Sequence, residues 1–153
     1  MVEYGLLGIV QSSRSQRLYR MTNFFMLRCL IWFDNSSFLC TRVYAFNTCA
    51  QRDQLWQTLM GLGATIQGPW ILCGDFHTIL SADEKMTGGC DSSIDTRELQ
   101  ALFGSLGIFD LHYTGHFFTW CNQQSGFSSM YCKLDRVVVN SAWISVFPSS
   151  LNF

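Results

Sequence analysis

The residues best suited to chemistry lie in one short stretch, WILCGDFHTIL, residues 70–80. Apolar residues run into Gly74, then a carboxylate, Asp75, and two positions on an imidazole, His77. A buried strand holds its last residue rigidly, α/β folds open their ligand crevices at strand C-termini, and glycine permits close approach. Asp75 therefore reads either as a site carboxylate or as the cap of a turn. A second acid, Asp135, stands inside KLDRVVV, where period-two alternation puts Leu134 and Arg136 on one face and Lys133 and Asp135 on the other. It reads as a site residue or as the partner of Arg136 or Arg97. Tyr44 ends a strand-like run in RVYAFN, with Asn47 just beyond. It is a core tyrosine with its hydroxyl at the rim or a substrate contact. The acid-rich half of the chain beyond Met60 is compatible with a divalent-cation site. His112 and His116 are four apart, but Gly115 argues against one helical face for them.

These residues need elements to position them. MLRCLIWF (26–33) and FLCTRVYAF (38–46) are strand-like and flank the turn sequence Asp34–Ser37, which predicts an antiparallel hairpin. Residues 50–63 carry Leu55, Trp56, Leu59 and Leu62 at helical spacing, with Gly61 and Gly63 as stops. PWILCGDF (69–76) predicts a buried strand, and 81–94 a loop. Asp95 is placed to cap a helix with Glu98 at the third position, a face of Leu99, Leu102, Phe103 and Leu106, and a stop at Gly107. HFFTWCN (116–122) and MYCKLDRVVVN (130–140) predict two further strands, and the polar stretch 11–23 a loop or lead-in. Strands alternating with single helices indicate an α/β layered fold.

Composition narrows the classes. With 153 residues, 48% hydrophobic and 14% charged, the chain can build one core and is not disordered in character. Mean hydropathy is +0.15, yet no apolar run approaches the roughly 18–20 residues that span a bilayer. That hydropathy leads us to expect apolar surface covered by strands outside this chain. Six arginines face three acids up to Met60, and four bases face eight acids beyond it, so net charge is −1. This balance lends nucleic-acid binding no general electrostatic support. Seven cysteines without CxxC spacing, and no basic leader, predict reduced thiols with no disulfide partner in a nuclear or cytoplasmic, non-secreted protein.

Five ordered blocks resemble one family. CTRVYAFN, QRDQLWQTL, GPWILCGDFHTILSADEKMTGG, LGIFDLHYTGHFFTWCNQQS and KLDRVVVNSAWISVFP look like the endonuclease/exonuclease/phosphatase superfamily, and more narrowly the endonuclease region of plant non-LTR (LINE-type) retrotransposons. The resemblance covers roughly residues 38–148. It implies a four-layered α/β sandwich of DNase I-like type, two β-sheets flanked by helices, with Mg²⁺ as cofactor and DNA as partner. It places Asp75 on the aspartate that handles the attacking water's proton and Tyr44 on the tyrosine that contacts the scissile phosphate. Asn47, Thr119 and Asn122 fall on substrate-side positions, and Asp135 on an aspartate that supports the active-site network. Such a set is what phosphodiester hydrolysis asks for: an activated water, a positive centre on the phosphoryl oxygens and help for the leaving oxygen.

The pattern departs from the family at three places. His77 stands where the family has asparagine, an exchange of an amide for a larger, pH-dependent donor. By analogy with removal of a positioned donor, about 3 kcal/mol of barrier is at stake. The family's metal glutamate has no counterpart, since Glu3 in MVEYGLL lacks the surrounding pattern, and its terminal Ser-Asp-His strand does not occur. The expectation is thus an unmatched, flexible lead-in at 1–25 and an incomplete domain at 26–153. Its cleavage would be weak or absent, with a non-catalytic binding module or a small-molecule phosphoesterase as alternatives.

Overall fold

The computed structural model describes residues 13–20, 24–31, 37–87, 96–112 and 115–152. The polar stretch read as a lead-in contains a strand, β1 (Ser13–Arg20), paired antiparallel with β2 (Phe24–Ile31). That corrects the loop expected at 11–23. β1 is the edge of its sheet, where Arg and Ser cost little and local composition is a poor guide. β2 pairs antiparallel with β3 (Ser37–Tyr44), the hairpin expected.

Helix α1 (Cys49–Gly63) carries the chain to β4 (Trp70–Asp75), which lies parallel to β3. Gly61 does not stop α1 but sits inside it. Gly63 ends the helix where packing is tight, since a Cβ there would meet Leu106 Cδ2 at 2.3 Å and the Trp70 ring at 3.1 Å. The loop expected at 81–94 also needs correction. It holds a 3-10 turn at Ala82–Glu84 and strand β5 (Lys85–Thr87), while residues 88–95 lie outside the described residues, and with them the cap assigned to Asp95. Helix α2 (Arg97–Leu106) ends at Gly107 in the left-handed conformation, φ +59°, as its sequence predicts. A short strand the sequence did not announce, β6 (Ile108–Asp110), follows.

The segments 116–122 and 130–140 fold differently from the two strands expected. Only Trp120–Cys121 forms β7, and the second segment divides into β8 (Met130–Cys132) and β9 (Asp135–Asn140). The two halves enter different sheets, ordered β1-β2-β3-β4-β9-β6 and β5-β8-β7. Lys133 and Leu134 make the break. The alternation read through KLDR fails there, because Lys133 and Arg136 are both buried and meet the same acids. Helix α3 (Ser141–Val146) closes the described chain with a 3-10 turn, Pro148–Asn152. Asn140 caps α3 by accepting the Trp143 N–H at 3.0 Å, and also ties down β4 through the Trp70 N–H at 3.0 Å.

Strand alternation sorts the larger sheet into two faces. Val43, Leu72, Val138 and Ile108 face Leu55, Trp56 and Leu59 of α1 and Leu99, Leu102 and Phe103 of α2. Phe38, Cys40, Ile71, Val137 and Val139 face the other way, onto Trp143 of α3. Phe38 meets the Trp143 ring edge-on at 5.2 Å. Leu59 and Leu72 have no exposure, so truncating either to alanine costs about 2–5 kcal/mol. The result is an α/β fold with two sheets flanked by helices. No helix of the described residues is long and apolar enough to cross a membrane.

Candidate functional site

Three predicted site residues end up in one row. The register sets Tyr44 of β3 opposite Asp75 of β4, and Asp75 opposite Asp135 of β9. By alternation all three leave the face that carries Phe38, Ile71 and Val137, at the end away from α3's apolar cover. Backbone bonds lock the row: the Ala45 N–H donates to the Asp75 carbonyl at 2.8 Å, and the Phe76 N–H to the Leu134 carbonyl at 2.9 Å. Gly74 makes the row possible. Its φ is +130°, and a Cβ there would stand 2.1 Å from the Val43 carbonyl oxygen, so only glycine lets β4 approach β3 here.

His77 folds back onto this row. Its backbone is left-handed, φ +50°, a region that histidine and asparagine tolerate better than most residues. The His77 N–H donates to Asp75 Oδ1 at 2.8 Å, and Nε2 lies 3.1 Å from Oδ2. Both side chains keep about a fifth of their surface exposed, 21% for His77 and 23% for Asp75. The imidazole also meets the Tyr44 ring edge-on at 5.5 Å. Asp75 is thus the acceptor of a turn, and it also stands in the row between Tyr44 and Asp135. Burial pushes its carboxyl pKa up, the His77 N–H and imidazole pull it down, and the charge of Asp135 adds to the rise.

The substrate-side residues are placed as follows. Thr119 Oγ1 accepts the N–H groups of Leu134 and Asp135, both at 3.0 Å, so it fixes the backbone that carries Asp135. Its hydroxyl hydrogen is the group it can still offer a phosphate. Asn122 spends its amide inside the β7–β8 turn: Oδ1 accepts from Met130 and Gln124, and Nδ2 donates to the Ser128 carbonyl. It does not join the row. Asn47 is exposed beyond β3, and its carbonyl accepts Arg52 Nη1 at 2.8 Å. Glu3 lies outside the described residues.

Two ion networks frame the site and were missed as such. Arg136 does not pair with Asp135. Its guanidinium forks onto Glu84 and donates to Asp110 Oδ2 at 2.9 Å, and Lys133 Nζ reaches the same oxygen at 2.7 Å. Burial alone would raise the Glu84 pKa, but hydrogen bonds from Arg136 and the Leu80 N–H, and the charges of Arg136 and Lys133, outweigh it and hold the carboxyl below its ordinary value. In the second network Arg52 pairs with Glu98, which also accepts the Trp56 Nε1–H at 3.3 Å. Glu98 is likewise held low, its burial offset first by the Arg52 hydrogen bond. The signal for the first network was present: Glu84 and Arg136 belong to the EK and LDR blocks of the resemblance.

Asp75 and Asp135 are like charges in facing register, a pair whose repulsion a divalent cation would relieve, but Asp75, His77 and Asp135 do not bring three donor atoms within 4.8 Å of one another. A second group, Cys49, Asp53 and Glu98, brings its donor atoms within 4.8 Å of one another, but Glu98 already serves Arg52 and Trp56.

The sequence matches no protein-family model and no curated protein. The fold is similar to several solved structures. It matches the endonuclease domain of TRAS1, a telomere-specific non-LTR retrotransposon, with a TM-score of 0.54 and 11% identity over 84% of this chain and 68% of that one. It matches beta toxin of Staphylococcus aureus with a TM-score of 0.51 and 12% identity over 78% of this chain and 43% of that one. An endonuclease/exonuclease/phosphatase family protein of Leptotrichia buccalis gives 0.50 and 13% over 85% and 48%. The chain thus spans less than half the length of the last two. At these identities the likeness establishes the fold, which is endonuclease/exonuclease/phosphatase-like.

Proposed function

We propose that the chain is part of a phosphodiester-hydrolysing domain of DNA-endonuclease type and retrotransposon origin, and that it cleaves slowly with a divalent cation. The observation that carries this reading is the Tyr44–Asp75–Asp135 row on adjacent strands of one sheet face. The likeness to a retrotransposon endonuclease domain supports both the DNA substrate and the origin, and DNA as substrate sets the nucleus or cytoplasm as the place of action.

Asp75 and Asp135 are the residues that would hold the cation, Mg²⁺ by the sequence resemblance. Bound there it would neutralise charge on the phosphoryl oxygens and sharpen a water as nucleophile. Asp75 would take that water's proton, and Tyr44 would meet the phosphate from the solvent side. Thr119 keeps Asp135 in register. Slow cleavage follows from His77: both Asp75 oxygens already have His77 as a partner, so the carboxylate must be released before it can act. The same pairing favours binding without cleavage as the second reading.

Nicking of supercoiled plasmid with Mg²⁺ tests the proposal. The expected result is slow nicking that Asp75→Ala abolishes. Nicking that survives the substitution overturns it, and salt-sensitive DNA binding with no nicking selects the second reading.

A further inference from the structure

The sheet face that carries the row is covered at one end and open at the other, and β3 marks the change. Phe38 and Cys40 are buried on this face, whereas Arg42 and Tyr44, next in the same alternation, are both exposed. Thr41 and Val43, on the other face, are buried, so the opening belongs to the side of the row. Arg42 stands two residues before Tyr44, about 6.6 Å along the strand at about 3.3 Å per residue. The register sets it beside Cys73 of β4, itself two residues before Asp75. An arginine stem covers a distance of that order, which brings the guanidinium within reach of the row.

Charge decides what such a residue does there. Two carboxylates in facing register repel a phosphate as they repel each other. Lys133 and Arg136, the basic residues beside Asp135 in the chain, do not offset this, because both are buried against Glu84 and Asp110, two cations on two acids. Of the two basic residues on β3, β4, β6 and β9, Arg136 is buried and Arg42 exposed. We propose that Arg42 holds a backbone phosphate of a DNA substrate on the β3 side of Asp75, through the fork of its guanidinium. The proposal rests on the reading of the row as a phosphodiester site and adds the group that draws the polyanion to it. Five N–H donors let the guanidinium serve a phosphate beside its contacts within the fold. No covalent bond is made or broken at Arg42. A phosphate held alike in the bound substrate and in the transition state lowers KM and leaves kcat nearly unchanged.

The test measures binding of the full chain to a fluorescein-labelled DNA duplex by anisotropy, in EDTA so that no strand is cut, over a range of salt. Each phosphate neutralised by a side chain steepens the fall of log K with log salt by about 0.9. Arg42→Gln should flatten the slope by about that amount, so that a tenfold rise in salt costs it about eightfold less affinity than it costs the unsubstituted chain. The weakening should be alike for duplexes of unrelated sequence. Arg42→Lys keeps the charge and should keep the slope. Arg97→Gln, at an exposed position in the first turn of α2, whose helix packs on the other face of the sheet, should leave slope and affinity as they are. A slope that Arg42→Gln does not change, one that Arg42→Lys also loses, an equal effect of Arg97→Gln, or no salt-dependent binding by the unsubstituted chain overturns the inference. Binding that depends on Arg42 with no plasmid nicking would sink the hydrolase reading and leave the phosphate contact standing. Nicking that Asp75→Ala abolishes, with a salt slope indifferent to Arg42, would do the reverse.

Discussion

Replacing His77 by asparagine should speed DNA nicking in Mg²⁺. Asparagine tolerates the φ of +50° at this position and keeps the backbone N–H on Asp75 Oδ1 at 2.8 Å. It removes the 3.1 Å contact of Nε2 with Oδ2 and so frees that oxygen for the attacking water. It also restores the amide donor found at this position in the family that the sequence resembles. A positioned donor at a phosphoryl or acyl centre is worth about 10²–10³ in rate, or about 2.7–4 kcal/mol of barrier. The cost in stability is small. The contact is partly exposed, so its loss amounts to at most about 1 kcal/mol against a total of about 5–15 kcal/mol. We therefore expect nicking about a hundredfold faster in Mg²⁺, with an almost unchanged urea midpoint. Rates that stay level or fall while the protein remains folded would refute the idea that His77 restrains Asp75.

Glu84→Gln should cost about 3–5 kcal/mol in urea unfolding, because it leaves Arg136, which has no side-chain exposure, and Lys133 sharing Asp110 alone. Glu84 and Glu98 both titrate below the ordinary value in the folded state, so their contribution is complete above about pH 4.3, the unfolded value, and disappears as pH falls through the lower folded values. Urea midpoints measured through the acid range should follow that course, and Glu84→Gln should flatten it. Gly74→Ala should destabilise by about 3 kcal/mol or more, given the 2.1 Å approach to the Val43 carbonyl, and a mild effect in urea would show that β3 and β4 are less closely held than this. Thr119→Val strips the acceptor from the Leu134 and Asp135 N–H groups; at an exposed site this should cost about 1–2 kcal/mol in thermal unfolding and slow nicking by displacing Asp135.

Much of the row was legible before any coordinates. Asp75 follows a run of buried residues and a glycine, and Tyr44 ends a strand, so both fall at strand termini on pattern alone. Asp135 was legible for its type but not for its setting. The alternation through KLDR suggested one continuous strand, whereas the chain passes between two sheets at Lys133, whose ammonium meets Asp110. Such a break depends on partners 23 and more residues away, which a local period cannot register. The same holds for β1, whose polar residues form a strand only because β2 offers them an edge. β6 has three residues, too short to leave a periodic trace. For Asn122, whose place in a motif suggests a substrate contact, nothing in the sequence signals that its amide also closes the β7–β8 turn.

The account depends on Asp75 and Asp135 acting as one unit across the β4–β9 register, and a double-substitution cycle on plasmid nicking measures that directly. If they share one cation, Asp75→Ala and Asp135→Ala should each remove most of the rate, and the double variant should be no slower than the slower single one. Losses that multiply, or a single variant that nicks at the full rate, would contradict it.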